Sequence, residues 1–510
     1  MVYPDILGII IDTSYSWVRM FIALGLSFVI SLGIGISAAR VPKFGRVIIP
    51  VVDILQTLPI LAFFPFAIYI FVFYLPGYVG INAAVIFLIV TSMLWNMIFG
   101  VYQAINSMPN EYIEVAKVYK LNLFRRLTRL YIPAALPRMS EQMSLSWAIG
   151  LFYLVTSEIF SVGTKDFAVK HGIGVALTNA MATGNFYSYF YGIAIFIIFV
   201  FLTRLLLFER FDRFANRSSI ETYKKSRNDR VSLSIKSGVS RITRRISLSK
   251  PRKEKIKREV PKILVYLGYA VLALAIALVI YAIADNITAS ELGQIPSYEL
   301  YALVSLGASF LRIWGAFAVV LAIAVPLSIY VLFISKRRKP FIFSFQIAAS
   351  IPATMLLPLI ASLAQGNAEA LAFLIYVLSG LWYVVFSILA TAKYLPSNVD
   401  EIRRVFRLNG RSAWKKIYLK AIFPGLITGA ITAIAAEWNA SIVAEYFSAG
   451  TSGKVLTSVG TGIGKALNLA LSSNNLFLMA ILLVNMVIMI LSINYFVWRR
   501  LYKKMETIYS

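Results

Sequence analysis

Residues 92–160 align without a gap on residues 379–447 at a constant offset of 287, with 15 identities among 69 paired positions. The best-kept stretch is polar and lies between apolar segments. EYIEVAKVYKLN (111–122) leads into RLYIPAALP (129–137), and NVDEIRRVFRLN (398–409) leads into KIYLKAIFP (416–424). Glu114 meets Glu401, Leu121 and Asn122 meet Leu408 and Asn409, Pro137 meets Pro424, and Glu158 meets Glu445. Outside this block the repeat continues with small shifts, as expected when loops absorb insertions. At offset 293, Ser16 and Arg19 meet Ser309 and Arg312, and Pro59 and Pro65 meet Pro352 and Pro358. At offset 290, HGIGVAL (171–177) meets TGIGKAL (461–467). A chain built this way has to fold as two similar units.

With 59% hydrophobic and only 14% charged residues, the chain cannot cover a water-soluble globule of its size with polar surface. It reads as an all-α polytopic membrane protein. Uncharged runs of about 20 residues suffice to cross the hydrocarbon core, and eleven are expected, centred near residues 29, 63, 92, 150, 196, 274, 323, 352, 381, 435 and 486. Arg40, Lys43 and Arg46, then Lys336 to Lys339, then Arg499, Arg500, Lys503 and Lys504 fall on one face if spans alternate. That face is cytoplasmic by the positive-inside rule, with the N-terminus outside and the C-terminus inside. Both polar repeat loops, 105–137 and 393–424, fall on it, and 164–186 and 448–474 become matching outer loops. Five spans per unit would invert a second copy joined directly. The extra apolar segment 263–284 restores the direction, so the two five-helix repeats lie parallel about an axis along the membrane normal.

The expected division is a first unit over 1–208, a basic cytoplasmic connector over 209–262, a linking helix and outer loop over 263–299, and a second unit over 300–510. The connector holds 18 Lys/Arg against 6 Asp/Glu. Such charge beside membrane spans fixes topology and meets anionic head groups, so lipid is its expected partner and nucleic acid is not. The chain has no cysteine, which excludes disulfides and thiolate metal sites. Nothing before Arg19 is basic apart from the amino terminus, so the start does not read as a cleavable signal peptide.

A charged, helix-prone loop of some thirty residues is longer than a connection requires. Val115, Val118 and Tyr119 recur at helical spacing, with Glu114, Lys117 and Lys120 on the remaining arc; Ile402, Val405 and Phe406 form the same stripe. One such loop would read as an interfacial helix packed on its own spans. Two at equivalent depth point to a pair of docking sites for a paired cytoplasmic partner.

These loops resemble those of the permease subunits of binding-protein-dependent ABC importers, in the branch serving nitrate, taurine and sulfonates. The family loop reads approximately Glu-Ala-Ala, three residues, Gly, then two prolines. Glu114, Val115 and Ala116 open the motif in the first copy, with Pro133 and Pro137 at both proline positions. Glu401, Ile402 and Arg403 open it in the second, where Pro424 holds one proline and Lys420 replaces the other. The family's glycine is Lys120 in one half and Arg407 in the other, with Gly410 three residues late. The resemblance covers roughly 16–206 and 300–498 and implies two type I ABC importer permease repeats fused in one chain. It further implies two cytoplasmic ABC ATPase subunits gripping the loops (Glu114 to Ala116 and Lys120, Leu121 and Asn122; Glu401 to Arg403 and Arg407 to Gly410), an extracytoplasmic solute-binding protein, and the cell membrane of a prokaryote. No cofactor is expected in this chain, ATP and Mg belonging to the partner subunits. Gly453-Lys454 and Gly464-Lys465 lack the Ser or Thr of a phosphate-binding loop, so the chain is not expected to be an enzyme.

Ionisable groups inside the bilayer suggest a pathway by default. Arg19 and Arg312 stand near the outer starts of their helices, where snorkelling to head groups is the expected role. Glu158 and Glu445 are either solvated interfacial carboxylates or residues lining the outer mouth. Glu437 lies deeper, has Gly150 at the equivalent position, and is followed by Trp438 and Asn439. This trio is expected either on the translocation path or in a hydrogen-bonded cluster between the halves. His171, the lone histidine, stands in the outer loop and is a weak candidate for a metal or proton switch. A self-sufficient secondary transporter using these glutamates for ion coupling is the alternative from another class. It leaves the twinned loops unexplained.

Overall fold

The computed structural model describes residues 6–57, 60–63, 77–163, 169–217, 293–335, 337–349, 351–356, 359–361, 367–390, 410–449, 454–473, 475–498 and 500–501, with a few single positions between 64 and 76. The linking helix expected at 263–284, most of the basic connector and the core of the second polar loop, 391–409, lie outside these residues.

The first half runs α1 (Ile6–Arg40), α2 (Pro42–Thr57), a 3-10 turn (Ile60–Phe63), α3 (Tyr78–Asn106), α4 (Asn110–Val118), α5 (Ile132–Gly163), α6 (Ile173–Ala182), α7 (Phe186–Thr203) and α8 (Glu209–Arg217). The second runs α9 (Ile295–Ile329), α10 (Arg338–Ala349), a 3-10 turn (Ala353–Leu356), α11 (Ala368–Ala390), α12 (Leu419–Ala444), strands β1 (Tyr446–Ala449) and β2 (Lys454–Ser458), α13 (Ile463–Ser472) and α14 (Leu476–Ile493). The packing order repeats: α1 lies on α3 and α3 on α5, as α9 lies on α11 and α11 on α12. Even the irregularities recur. One π turn precedes α5 at Leu127–Tyr131 and another precedes α12 at Trp414–Tyr418; a further pair follows α7 at Arg204–Phe208 and α14 at Asn494–Trp498.

Among the described residues, seven helical stretches are long and apolar enough to cross a membrane: Ile6–Arg40, Tyr78–Asn106, Phe186–Ala215, Ile295–Ile334, Ala368–Ala390, Lys416–Ala444 and Leu476–Trp498. The expected span at 263–284 and parts of those near 63 and 352 lie outside the described residues. α5 carries Arg138, Glu141 and Glu158 and is not among the seven. The run near 352 is interrupted after α10, where a proline removes a backbone donor and clashes with the preceding turn. Pro352 stands directly before its 3-10 turn. The first nine residues of the expected connector prolong the α7 helix as α8, where Asp212 accepts from the Ser140 hydroxyl.

The loops expected on the outer side are shaped more than their composition suggested. Each contains a ten-residue helix, α6 or α13. Only the second half adds a hairpin, β1 pairing antiparallel with β2. Against an otherwise helical chain it is the one sheet among the described residues.

The halves meet through their 3-10 turns in reciprocal fashion. Leu61 N donates to Asn439 Oδ1 of α12 at 3.5 Å, and its repeat equivalent Thr354 pairs with Thr156 Oγ1 of α5 at 3.1 Å. Tyr189 also donates its hydroxyl to Met355 O at 2.7 Å. Broken backbone at membrane depth is tolerated where protein covers it, and here each half covers the other's break.

Candidate functional site: twin carboxylate clamps, a central seam and a polar loop

At the end of α5 the Glu158 carboxylate is fully buried and held by three donors. Arg19 Nη1 and Ser16 Oγ of α1 both reach Oε1 at 2.7 Å, and the Gly174 amide at the start of α6 reaches Oε2 at 2.9 Å. The same Ser16 oxygen accepts from the Ile173 amide at 2.9 Å. Arg19 also donates to Asn82 Oδ1 and to the His171 carbonyl, both at 2.7 Å. One carboxylate thereby ties α1, α5 and the N-terminus of α6, where unpaired amides favour negative charge.

The second half builds the same clamp from the matching residues. Glu445 Oε1 accepts from Ser309 at 2.6 Å and from Arg312 Nη1 at 3.4 Å, and Oε2 accepts from the Gly464 amide at 2.8 Å. Ser309 again receives the next amide, Ile463 N, at 2.8 Å, and Arg312 again reaches the loop carbonyl, Thr461 O, at 2.6 Å. Two differences stand out. Asn82 is replaced at its repeat position by Glu369, which takes Arg312 Nε at 2.5 Å and Nη2 at 2.8 Å. Tyr376, where the first half has Ile89, donates its hydroxyl to Glu445 Oε1 at 2.8 Å. The repeated Gly-Ile-Gly is explained by contact. A Cβ on Gly172 would stand 2.7 Å from either Glu158 oxygen, and one on Gly174 would stand 2.8 Å from Glu158 Cβ; Gly462 meets the Glu445 carboxylate in the same way.

Expectation and structure part here. Arg19 does not snorkel, being 3% exposed and ion-paired, and Arg312 at 16% is turned inward too. In an interior of low dielectric a buried carboxylate two helices away outcompetes head groups for the guanidinium. Glu158 and Glu445 are neither solvated nor at an open mouth, since both are wholly enclosed. Sequence comparison had marked Ser16, Arg19, Glu158 and the glycines as separate matches. The signal for their union was that all recur at once near one end of the repeat.

The trio in α12 divides. Asn439 faces the seam, accepting from Leu61 and donating to Ala435 O at 2.8 Å. Glu437, two residues and about 200° away on the helix, points into its own half against Gly380, fully buried, with neither oxygen hydrogen-bonded. Trp438 is buried with its indole N–H unpartnered. Of the three, only Asn439 touches the other half through a hydrogen bond among the described residues. His171 pairs with Asp12 at 2.9 Å and stacks on Tyr15. Among the described residues there is no group of three His, Cys, Asp or Glu placed to hold a metal ion.

In the first polar repeat loop, α4 sets Tyr112, Ile113 and Ala116 against the core and leaves Glu114 and Val115 outward. Val118 and Tyr119 are 77% and 74% exposed, and Phe124 is 71% exposed. Lys120 adopts φ 47°, the left-handed conformation that glycine favours, and the Leu121 amide bonds back to Ala116 O at 3.0 Å. That is the Schellman closure of a helix. The left-handed position that glycine favours is held here by a lysine. Asn122 then caps the next turn, its Oδ1 accepting from Arg125 N at 2.9 Å. In the second loop Glu401, Ile402, Arg403, Arg407, Leu408 and Asn409 lie outside the described residues. Gly410 has φ 53°.

The chain matches the family described as "Binding-protein-dependent transport system inner membrane component" twice, over residues 31–217 and 322–505. It is 28% identical over 141 residues to the nitrate import permease protein of Synechococcus elongatus, covering 28% of this chain and 46% of that protein. The glycine betaine/proline betaine transport system permease protein of Escherichia coli is 26% identical over 183 residues, 36% of this chain and 48% of that one. The bicarbonate transport system permease protein of Synechococcus elongatus is 23% identical over 156 residues, 31% and 54%. The chain thus spans about half the length of the curated relatives it matches. No solved structure matches it.

Proposed function

Because this chain belongs to the family of binding-protein-dependent transport system inner membrane components, we propose that it is the complete transmembrane pair of an ATP-binding cassette importer, both halves fused. The first unit comprises 1–208 and the second 300–510, joined through 209–262 and 263–299. Solute passes along the seam between the halves. Separate ATPase subunits, which carry ATP and Mg, grip the loops 105–137 and 393–424, and an extracytoplasmic solute-binding protein delivers a small polar solute of the kind named for the relatives. The protein sits in the cell membrane with its N-terminus outside and C-terminus inside, and does no chemistry of its own.

The observation that carries this reading is the outward stripe Val115, Val118, Tyr119 and Phe124, exposed on a loop closed by a strained lysine and an asparagine cap. Apolar side chains presented on a rigid, polar loop fit the groove of a partner rather than lipid. α4 and α5 then form a lever, with the grip before α5 and the clamp at its far end.

The test is reconstitution of the full chain in vesicles with candidate ATPase subunits. Uptake is expected only with ATP, and Val118→Asp with Tyr119→Asp is expected to abolish stimulation of the ATPase while leaving thermal stability unchanged. Uptake at full rate without ATPase subunits, or unaltered coupling in the double variant, refutes the reading.

A further inference from the structure

The deepest difference between the halves is an exchange of partners at one packing site. In the first half Met93 of α3 fills the space over Gly150 of α5, so that a Cβ on Gly150 would strike the Met93 methyl and stand 3.3 Å from that of Met20. In the second half the repeat equivalents are reversed in size: Gly380 of α11 replaces Met93, and Glu437 of α12 replaces Gly150. A Cβ on Gly380 would strike Glu437 Oε1 and stand 3.4 Å from Ala433 Cβ. The slot is therefore conserved in volume, occupied from opposite helices by a thioether in one half and a carboxyl in the other. Packing alone needs only the thioether.

The carboxyl is fully buried, and both of its oxygens lack a hydrogen-bond partner, as does the nearby Ser379 hydroxyl on the facing helix. The ionisable groups on the elements packed around it are otherwise engaged or neutral. α11 carries Tyr376, bonded to Glu445, together with Tyr383 and Glu369, and α9 carries Arg312, shared between Glu369 and Glu445. Glu299 of α9 accepts from Asn485, Lys465 of α13 donates to Val459 O and Gly460 O, and β1 offers Tyr446. The 60–63 turn carries none. No cation among the described residues neutralises Glu437. An isolated carboxylate in such surroundings is far costlier than its neutral acid.

We infer that Glu437 is a proton-binding site inside the second half: its carboxyl holds a proton on one oxygen while α11 and α12 are packed together, and releases it to water when they part. No electron moves and no other bond changes. Falling pH then favours the packed arrangement and rising pH the parted one, in the second half only, because Met93 cannot titrate.

Infrared difference spectra of the full chain in lipid nanodiscs test this, comparing wild type with Glu437→Gln at neutral pH. The C=O stretch of a protonated carboxylic acid is expected in the wild type and missing from the variant; spectra that coincide in that band overturn the proposal. Hydrogen exchange over residues 419–444 supplies the second readout. Exchange faster than the intrinsic rise with pH is expected in the wild type and not in Glu437→Gln, and equal profiles overturn the linkage. Glu437→Met, which restores the first half's side chain type in the slot, is expected to melt with the wild type. Its failure to fold would overturn the slot equivalence. None of these readouts needs an ATPase subunit, so their failure leaves the importer assignment untouched.

Discussion

Arg19 stands 2.7 Å from its glutamate and is 3% exposed, whereas Arg312 stands 3.4 Å from its own and gives two nitrogens to Glu369. The first clamp concentrates its positive charge on one carboxylate. The second spreads it over two and compensates with the Tyr376 hydroxyl. Both versions keep Ser16 or Ser309 and the backbone amide of Gly174 or Gly464, so what recurs is the carboxylate and its neutral donors. The arginine's share of the charge is what drifts. A carboxylate sealed from water needs its full set of donors, while a guanidinium has five and can redistribute them.

This comparison can be broken most forcefully at the arginines. Arg19→Ala leaves Glu158 buried with neutral donors only and is expected to cost about 3–5 kcal/mol, read as a fall in melting temperature of the purified chain. Arg312→Ala is expected to cost less, because Glu445 keeps Tyr376; equal losses would show the two clamps to be energetically alike. Tyr376→Phe removes a donor to a carboxylate and is expected to cost about 1.5–3 kcal/mol. Ile89→Tyr, which supplies the hydroxyl to the first half, should partly rescue Arg19→Ala if the compensation is real. Gly174→Ala pushes a methyl against Glu158 Cβ and the Val155 carbonyl, and a loss of about 1–3 kcal/mol is expected by the same melting assay. The smallest effect has the opposite sign. Lys120→Gly relieves a positive φ and is expected to stabilise α4 by a few tenths to about 1 kcal/mol, within the range for such left-handed sites, seen as slower hydrogen exchange over 110–118.

The duplication and the helical membrane fold were legible because apolar run length and repeat offset report directly on helices. The clamps were half legible. The offsets 287, 290 and 293 each marked some of their members, but a linear chain does not say that Ser16, Glu158 and Gly174 share a point. Arg19 was misplaced because a helix-end arginine looks the same on paper whether it faces lipid or a buried acid. The proline pairs Pro59/Pro65 and Pro352/Pro358 marked the second span of each unit as bent, but hydropathy does not say that the chain before Pro352 leaves the helix altogether. Glu437 was recognised as unusual from Gly150, yet the compensating pair Met93 and Gly380 is visible only once helices touch.

The π turn at Leu127–Tyr131 puts one more residue into its loop of chain than an α turn holds, and its twin at Trp414–Tyr418 does likewise. Each residue added or removed from a helix swings everything beyond it by about 100°. The azimuth at which Glu158 leaves α5 is consequently set by a widened rung more than twenty-five residues away, beside the first polar loop. Excising one residue there would make the shaft choose between presenting its grip below and meeting Arg19 above; it could not do both.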